Sequence, residues 1–337
     1  MRLGALIRWT AAGLALLIAG AAWLLLSGGG GEKTLVLIPR GTAVSAIADR
    51  LVAEGIVRDA RTMKMLLRLT SAPKRVRAGE FAFSKPSSLL GALHTLYYGE
   101  PILHTVTIPE GWTVRMIGKA LGDKGLVDEA KFVRLALSAE AARKRNLSTP
   151  SMEGFLYPDT YKFSRVDGEE RILDRMHAEL LRRFSPELRA QAKARGMTFE
   201  QVVTFASIVE KETGVGGERA LVASVFHNRL KKGMRLQSDP TTIYGIANFD
   251  GNLRRKDLER HTPYNTYTIY GLPPGPIASP GIAAITAVLN PATTNYYYFV
   301  GNNQGAHVFS ETLEQHNRMV DYWQRGPGRR RSTTGKR

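Results

Sequence analysis

A short motif that occurs twice at a constant offset limits most strongly what the first half of this chain can fold into. Ile38-Pro39-Arg40-Gly41 is matched by Ile108-Pro109-Glu110-Gly111. The match continues through Val44 and Val114, Ile47 and Ile117, Leu51 and Leu121, Gly55 and Gly125, and Val57 and Val127. Pro-x-Gly predicts a turn, and the apolar positions after it recur at helical spacing. Each copy is therefore predicted to be a strand, a turn and a helix, a unit too small to stand alone.

The length of 337 residues favours two or three folded units with a sizeable core. We expect an α+β protein with a small α/β module over 34–102, a second, repeat-like module over 103–150 and a larger mixed α+β domain over 151–324. The chain has no cysteine, which excludes disulfides, thiolate catalysis and cysteine-ligated metals.

The N-terminus predicts a membrane anchor. Arg2 and Arg8 precede an uncharged run that extends to Gly31, and its apolar part is near the length that spans a hydrocarbon core. We expect a cytoplasmic stub over 1–8, a transmembrane helix over 9–28 and extracytoplasmic domains beyond it, because basic residues stay on the cytoplasmic side. A signal peptide cleaved near Ala19-Gly20-Ala21 is the alternative, although the apolar segment continues past that site.

The net charge of +17 raises the question of a nucleic-acid partner, but its distribution argues against one. Six of the basic residues lie in 325–337, a segment without acids that reads as a disordered tail. The remaining excess of positive charge is spread along the chain. A mildly basic exported protein suits an anionic polymer, which it attracts at long range.

The helix predicted over Phe199–Thr213 carries two glutamates beside its apolar stripe. At about 100° per residue, Glu210 and Glu212 fall on opposite flanks of that stripe, near a buried surface. A solvated helix end is the plain alternative. A glutamate edged by apolar side chains can have its pKa raised, as a general acid requires. Helical geometry does not choose between the two.

Polar blocks occur at the end of this helix and at several places after it. They are Ala206–Gly214, Ser224–Leu230, Gly233–Pro240, Tyr264–Tyr267, Gly271–Ile277, His307–Ser310 and His316-Asn317. Together they resemble the MltG (YceG-like) family of endolytic murein transglycosylases, from about Thr34 to Trp323. The resemblance implies that 151–324 is the catalytic domain, that 34–102 is a LysM-like subdomain and that the anchor lies in the inner membrane with the domains in the periplasm. It also places the acid/base on Glu212, with Glu210 in support.

The same resemblance implies the reaction. Glu212 protonates the oxygen between N-acetylmuramic acid and N-acetylglucosamine, then accepts the proton of the muramyl C6 hydroxyl as that oxygen attacks C1. The product is a 1,6-anhydromuramyl end. Peptidoglycan strands are the expected partner, and peptidoglycan synthases are a further candidate. The alternatives are a non-catalytic wall-binding scaffold and a hydrolytic muramidase.

Six further residues are candidates for hydrogen bonds to sugar hydroxyls and N-acetyl groups: Asn228, Gln237, Asp239, Tyr264, Asn265 and Tyr267. Each also has a structural interpretation as a cap, a turn residue or a core aromatic. We predict no cofactor. We also predict no metal, because His227, His261, His307 and His316 lack a metal-binding spacing, and we interpret His307 and His316 as structural residues.

Overall fold

The structure is a computed structural model that describes residues 18–20, 22, 23, 25, 26, 31–70 and 76–326. The predicted stub at 1–8, most of the predicted anchor at 9–28 and nearly all of the tail at 325–337 lie outside these residues. Within them, no helix combines the length and apolar character needed to cross a membrane. The fold is mixed α+β with three two-stranded sheets among the described residues.

The chain divides into two compact units, residues 1–105 with 162–168, and residues 106–161 with 169–337. The elements of the first unit are β1 (Glu32–Ile38), α1 (Val44–Ala53), α2 (Ala60–Leu69), β2 (Gly79–Lys85) and α3 (Leu89–Tyr98). β1 and β2 pair antiparallel, with Val36 opposite Phe81. Val36, Phe81 and Phe83 alternate into a core that the apolar faces of the helices complete.

Polar contacts hold the 162–168 segment in the first unit. Arg40 donates from Nη2 to Asp167 Oδ1 at 3.1 Å. The buried Glu80 carboxylate accepts from Arg165 Nη1 at 2.8 Å and is paired with His104 Nε2 at 2.7 Å. Burying a carboxylate without hydrogen-bond partners costs free energy, so the contacts with Arg165 and His104 stabilise the buried Glu80.

The two copies of the repeat have the same local structure. In the second copy β3 (His104–Thr107) precedes the turn and α4 (Val114–Asp123) follows it. Gly41 has φ +74° and Gly111 has φ +73°, a left-handed conformation that only glycine adopts without strain. The repeated glycine is therefore a backbone requirement of the turn. The boundaries predicted at 102, 150 and 324 stay predictions.

The second unit is mostly helical. After β4 (Thr160–Phe163), which pairs with β3, two helices follow one another within 168–194. Ser185 caps the second of them, and Pro186 occupies its first turn, where a missing N–H is tolerated. The helices here are α5 (Glu129–Ala136), α6 (Ala139–Lys144), α7 (Gly168–Arg183), α8 (Pro186–Ala194), α9 (Phe199–Glu212), α10 (Arg219–Lys231), α11 (Asp239–Tyr244), α12 (Arg255–Glu259), α13 (Ile282–Leu289) and α14 (Leu313–Val320).

The central element of this unit is α9. Every residue from Val202 to Val209 is buried, because α9 packs against α10 and α13. A capping box between Thr198 and Gln201 satisfies its first amides. Near the C-terminus, β5 (Tyr298–Gly301) and β6 (His307–Ser310) pair antiparallel as a hairpin.

A buried carboxyl group, Glu153, joins two parts of the second unit. Its Oε1 accepts from the backbone N–H of Val114, the first residue of α4, at 2.9 Å. Its Oε2 accepts from the Tyr244 hydroxyl at 3.4 Å. Burial raises the pKa of Glu153 to about 8, which these hydrogen bonds only partly oppose. The group is therefore predominantly neutral at pH 7.

We predict that Glu153→Gln makes stability less dependent on pH. The native state holds the Glu153 proton more tightly than the unfolded chain, so the wild type loses stability as pH rises from about 4.5 to about 8. The full loss is on the order of 5 kcal/mol, which the amide avoids while keeping its shape. Urea unfolding at pH 5 and pH 9 measures it.

The exposed Glu314→Gln variant is the control. Its unfolding free energy should change between pH 5 and pH 9 as that of the wild type does. Equal pH dependence in the wild type and in Glu153→Gln would contradict the prediction.

Candidate active site

A cleft of about 430 Å³ opens at the C-terminal end of α9. Four of the predicted site residues line it together: Glu212, Gln237, Asp239 and Tyr267. They come from the end of α9, the segment before α11, the start of α11 and the loop before α13. The hairpin β5–β6 and α14 line the cleft as well. Tertiary packing thus joins residues that are far apart in sequence.

Glu212 is the last residue of α9, and the backbone turns extended at Thr213. Part of its side chain is open to the cleft, while protein atoms surround the rest. Burial raises the pKa of Glu212 to about 7, and the negative charge of Asp239 adds to this effect. The neighbouring Ser238 hydroxyl and the Arg229 charge act in the opposite direction. Near neutral pH this carboxyl group can therefore both hold and release a proton.

Glu210 has different surroundings, although it lies only two residues away. Its Oε1 accepts from Arg219 Nη2 at 3.0 Å, and its Oε2 accepts from the backbone N–H of Gly281 at 3.0 Å. The side chain is 6% exposed and does not line the cleft. One oxygen accepts from a guanidinium and the other from a backbone amide, and these contacts tie the end of α9 to α10 and to the start of α13.

The segment that supplies Gln237 and Asp239 is held in an unusual conformation. Gln237 has φ +53°, a left-handed value that costs about 1 to 3 kcal/mol for a residue other than glycine. Its backbone N–H donates to Thr266 O at 3.1 Å, which supports the turn. Asp239 Oδ1 accepts from the Tyr267 hydroxyl at 2.6 Å, so these two cleft residues form one pair.

The other three candidates, Asn228, Tyr264 and Asn265, do not line the cleft. Asn228 Nδ2 donates to the backbone carbonyls of Thr294 and Tyr296, both at 2.9 Å. Asn265 is fully buried and donates to the carbonyls of the chain around α12. Tyr264 packs on Tyr244 with ring centroids 4.8 Å apart, and burial raises its pKa to about 12. Their described contacts are structural, and direct sugar binding by them stays a prediction.

The sequence patterns did not point to Arg229 and indicated only a structural role for His307 and His316. All three line the cleft. His307 Nδ1 is 2.7 Å from Glu218 Oε2, and its backbone N–H donates to Glu218 Oε1 at 2.8 Å. His316 stacks on Tyr298 with centroids 5.3 Å apart. An arginine among buried positions of α10 was the available signal, because a charged residue there needs a reason.

No group of three histidine, aspartate or glutamate side chains in the described part of the chain is arranged to hold a metal ion. The described residues that line the cleft supply two carboxyl groups, a guanidinium, two phenols and two imidazoles.

Comparison with known proteins places this chain in a family. The model of the YceG-like family matches residues 36–322, most of the chain. The chain belongs to the YceG-like family. A relative from Bacillus subtilis (strain 168), named endolytic murein transglycosylase, is 30% identical over 300 residues, which cover 84% of this chain and 83% of the relative. One from Streptococcus pneumoniae serotype 2 bears the same name and is 30% identical over 315 residues, covering 57% of its own length.

A solved structure supports the fold of this YceG-like chain. A YceG-like protein from Listeria monocytogenes is 30% identical, with a TM-score of 0.59, and the match covers 85% of this chain and 98% of that one. The mixed α+β architecture is therefore shared with a relative of known structure.

We predict that Arg219 and Glu210 are energetically coupled. Arg219→Met leaves the Glu210 carboxylate buried without its counter-ion, which should cost about 3 to 5 kcal/mol of unfolding free energy. The double variant with Glu210→Gln should cost less than the sum of the single variants, because no unpaired charge then remains. Urea unfolding of all four proteins measures the coupling.

Arg255→Met serves as the control, since Arg255 pairs with Glu259 on the surface. It should change stability little. Strictly additive effects at positions 210 and 219 would refute the coupling.

Proposed function

We propose that this YceG-like chain is an endolytic murein transglycosylase that cuts MurNAc–GlcNAc bonds inside nascent glycan strands and leaves 1,6-anhydromuramyl ends. The observation that carries the proposal is the state of Glu212. It is a partly open carboxyl group with a pKa of about 7, and it lies in a cleft with polar groups suited to sugars. The names of the relatives agree with this activity.

In the proposed mechanism one carboxyl group serves as acid and then as base. Protonated Glu212 gives its proton to the glycosidic oxygen as the bond from that oxygen to the muramyl C1 breaks. The resulting carboxylate takes the proton of the C6 hydroxyl as O6 bonds to C1. No water is consumed, and the internal hydroxyl competes well because its effective molarity is high. Glu210, bound to Arg219 and Gly281, is a positioning residue that holds the end of α9.

One observation supports a second candidate function, that of a hydrolytic muramidase. Asp239 lines the same cleft and gives it a second carboxylate, the group that a hydrolase needs to activate water or trap the sugar. The Tyr267 hydroxyl occupies one of its oxygens. The product of cleavage, and not the presence of Asp239, distinguishes the two reactions.

We predict that Glu212→Gln lowers cleavage about 10²- to 10⁴-fold while the protein stays folded, because the amide can neither give nor take the proton. Glu200→Gln is the matched control. Glu200 lies at the other end of α9, where it accepts from the Ser148 hydroxyl at 3.3 Å. The assay is mass spectrometry of uncrosslinked strands after digestion, with circular dichroism to check folding.

The wild type should release fragments that end in 1,6-anhydro-N-acetylmuramic acid, lighter by one water than hydrolytic fragments and resistant to borohydride. Predominantly reducible muramic acid ends would favour the muramidase. No cleavage of any strand by the folded wild type would leave the non-catalytic scaffold as the better account.

We also propose that residues 34–102 form a LysM-like subdomain. The order β1, α1, α2, β2 with the two strands paired antiparallel supports this assignment. A pocket of about 340 Å³ lies between the turn after β1 and the chain before β2. Comparison of the backbone of 34–102 with LysM domains tests the assignment.

The proposed location is the inner membrane, with a single-pass anchor and periplasmic domains. Support comes from the sequence alone: the apolar run of 9–28 and the basic residues Arg2 and Arg8 before it. Peptidoglycan synthases are proposed partners because nascent strands are the proposed substrate, and crosslinking in cells tests this association.

We predict that a reporter fused after Arg337 is active outside the cytoplasm and that the N-terminal segment stays attached. Alkaline phosphatase, which is active only after export, and a fluorescent protein that works only in the cytoplasm form a complementary pair. Cytoplasmic activity alone, or mature protein starting near Ala22, would argue against the anchor.

A further inference from the structure

Arg229 is a buried guanidinium whose hydrogen bonds all go to uncharged groups. The residue is 7% exposed. Its Nε donates to Tyr297 O at 2.6 Å, and its Nη1 donates to Leu236 O at 2.6 Å and to Gln237 Oε1 at 3.4 Å. Its carbon Cζ lies 5.3 Å from the centre of the Tyr298 ring. These contacts fix the orientation of the guanidinium and leave its charge without a counter-ion.

Two other enclosed arginines of the second unit show the usual solution. Arg145 pairs with Glu170 at 2.8 Å and Asp174 at 2.6 Å, and Arg219 pairs with Glu210 at 3.0 Å. No carboxylate in the part of the chain that the structure describes forms such a pair with Arg229, and none of its residues accepts a hydrogen bond from Nη2. A buried cation is costly unless an anion compensates it.

The carboxyl groups that share the cleft supply that anion only in part. Glu212 forms no ion pair with Arg229, and burial raises its pKa to about 7, so at neutral pH it is about half protonated and offsets the Arg229 charge incompletely. Asp239 is bound to the Tyr267 hydroxyl and forms no ion pair with any described residue. His316 stacks on the ring of Tyr298, and burial followed by the charge of Arg229 lowers its pKa, so it is neutral. The side of Arg229 that faces the cleft therefore offers a positive charge that the described residues compensate only in part.

We propose that Arg229 Nη2 binds a carboxylate of the substrate, so that the cleft selects acidic glycan strands over neutral ones. The inference rests on the proposed function. Backbone carbonyls hold Nε and Nη1 in place, which orients Nη2 before any ligand arrives and reduces the entropy lost on binding. A charge-assisted hydrogen bond in a partly enclosed cleft is stronger than the same bond on the surface.

Two parts of a wall strand carry carboxylates of this kind. The lactyl ether of muramic acid ends in a carboxylate when no peptide is attached. When a peptide is attached, that group is an amide and the carboxylates belong to the stem. Arg229 recognises the same chemistry in both cases, so the substrates of the test separate the two sources.

The experiment measures binding, so that it does not depend on turnover. The full chain carrying Glu212→Gln is titrated with peptide-bearing strands and with amidase-stripped strands whose lactyl carboxylates are free. Each strand type is also used after its carboxylates have been converted to methylamides with carbodiimide and methylamine. The readout is the ratio of affinities for the acidic and the amidated form of one strand, which is insensitive to the fraction of active protein.

We expect the acidic form of at least one strand type to bind about 10- to 100-fold more tightly than its amidated form. Adding Arg229→Gln should reduce this ratio to near one, and adding Arg229→Lys should retain part of it through the remaining charge. Arg235→Gln is the charge-matched control: Arg235 is exposed, packs on Tyr270 at 4.8 Å and is not in the cleft lining. Its ratio should equal that of the Glu212→Gln parent.

Two results would overturn the proposal: a ratio near one for both strand types, or a ratio that Arg229→Gln leaves unchanged. An unchanged ratio with an equal loss of affinity for acidic and amidated strands would assign Arg229 only to holding Leu236 and Tyr297 in place. Wild-type cleavage on the same strands is recorded separately. Cleavage without acid preference would leave the proposed function standing, and acid preference without cleavage would leave Arg229 as a ligand-binding residue of a non-catalytic protein.

Discussion

The burial of α9 is the constraint on which the second unit depends. Eight consecutive residues, from Val202 to Val209, are removed from solvent, so the helix has no free face along this stretch. α10 and α13 enclose the helix. The Ser207 hydroxyl accepts from the backbone N–H of Ile277 at 3.0 Å, which ties the segment Gly271–Ile277 to the same helix. A helix enclosed in this way cannot rotate or slide, since core packing resists small displacements. The last residue of α9, Glu212, is therefore held at a fixed position in the cleft.

Two glutamates separated by one residue have opposite electrostatic surroundings. Glu210 accepts from a guanidinium and a backbone amide, whereas Glu212 is enclosed without a cation at ion-pair distance among the described residues and has its pKa raised to about 7. Glu153 is a third case, buried, neutral and remote from the cleft lining. Burial raises the pKa of a carboxyl group, and the hydrogen bonds that Glu153 accepts only partly oppose this effect. Glu210 differs in having the guanidinium of Arg219 as a counter-ion. This difference supports the proposed roles of Glu212 as the acid and Glu210 as a positioning residue.

The repeat shows how one local structure serves different contacts. The turn residue is Arg40 in the first copy and Glu110 in the second, and both turns end in a left-handed glycine. Arg40 pairs with Asp167 at 3.1 Å within the first unit, and Glu110 lies 3.7 Å from Arg219 within the second. The backbone of the turn depends on glycine, whereas the charge beside it is free to match the surroundings of each copy.

The sequence alone determined the local elements and the family, while tertiary packing decided which polar residues meet. Pro-x-Gly turns, the apolar spacing of α1, α4 and α9 and the block containing Glu210 and Glu212 are local patterns, and local patterns constrain dihedral angles and faces directly. Ser185-Pro186 is a local pattern of the same kind, since serine followed by proline is typical of the start of a helix. Helical geometry could not separate Glu210 from Glu212, because the arginine and the amide that bind Glu210 come from residues 219 and 281. Likewise Asn228 and Asn265 were indistinguishable in sequence from Gln237, and only the fold turned the first two toward backbone carbonyls. Arg229 gained its importance from the absence of an ion-pair partner among its described neighbours, a property of three-dimensional surroundings that no sequence spacing encodes.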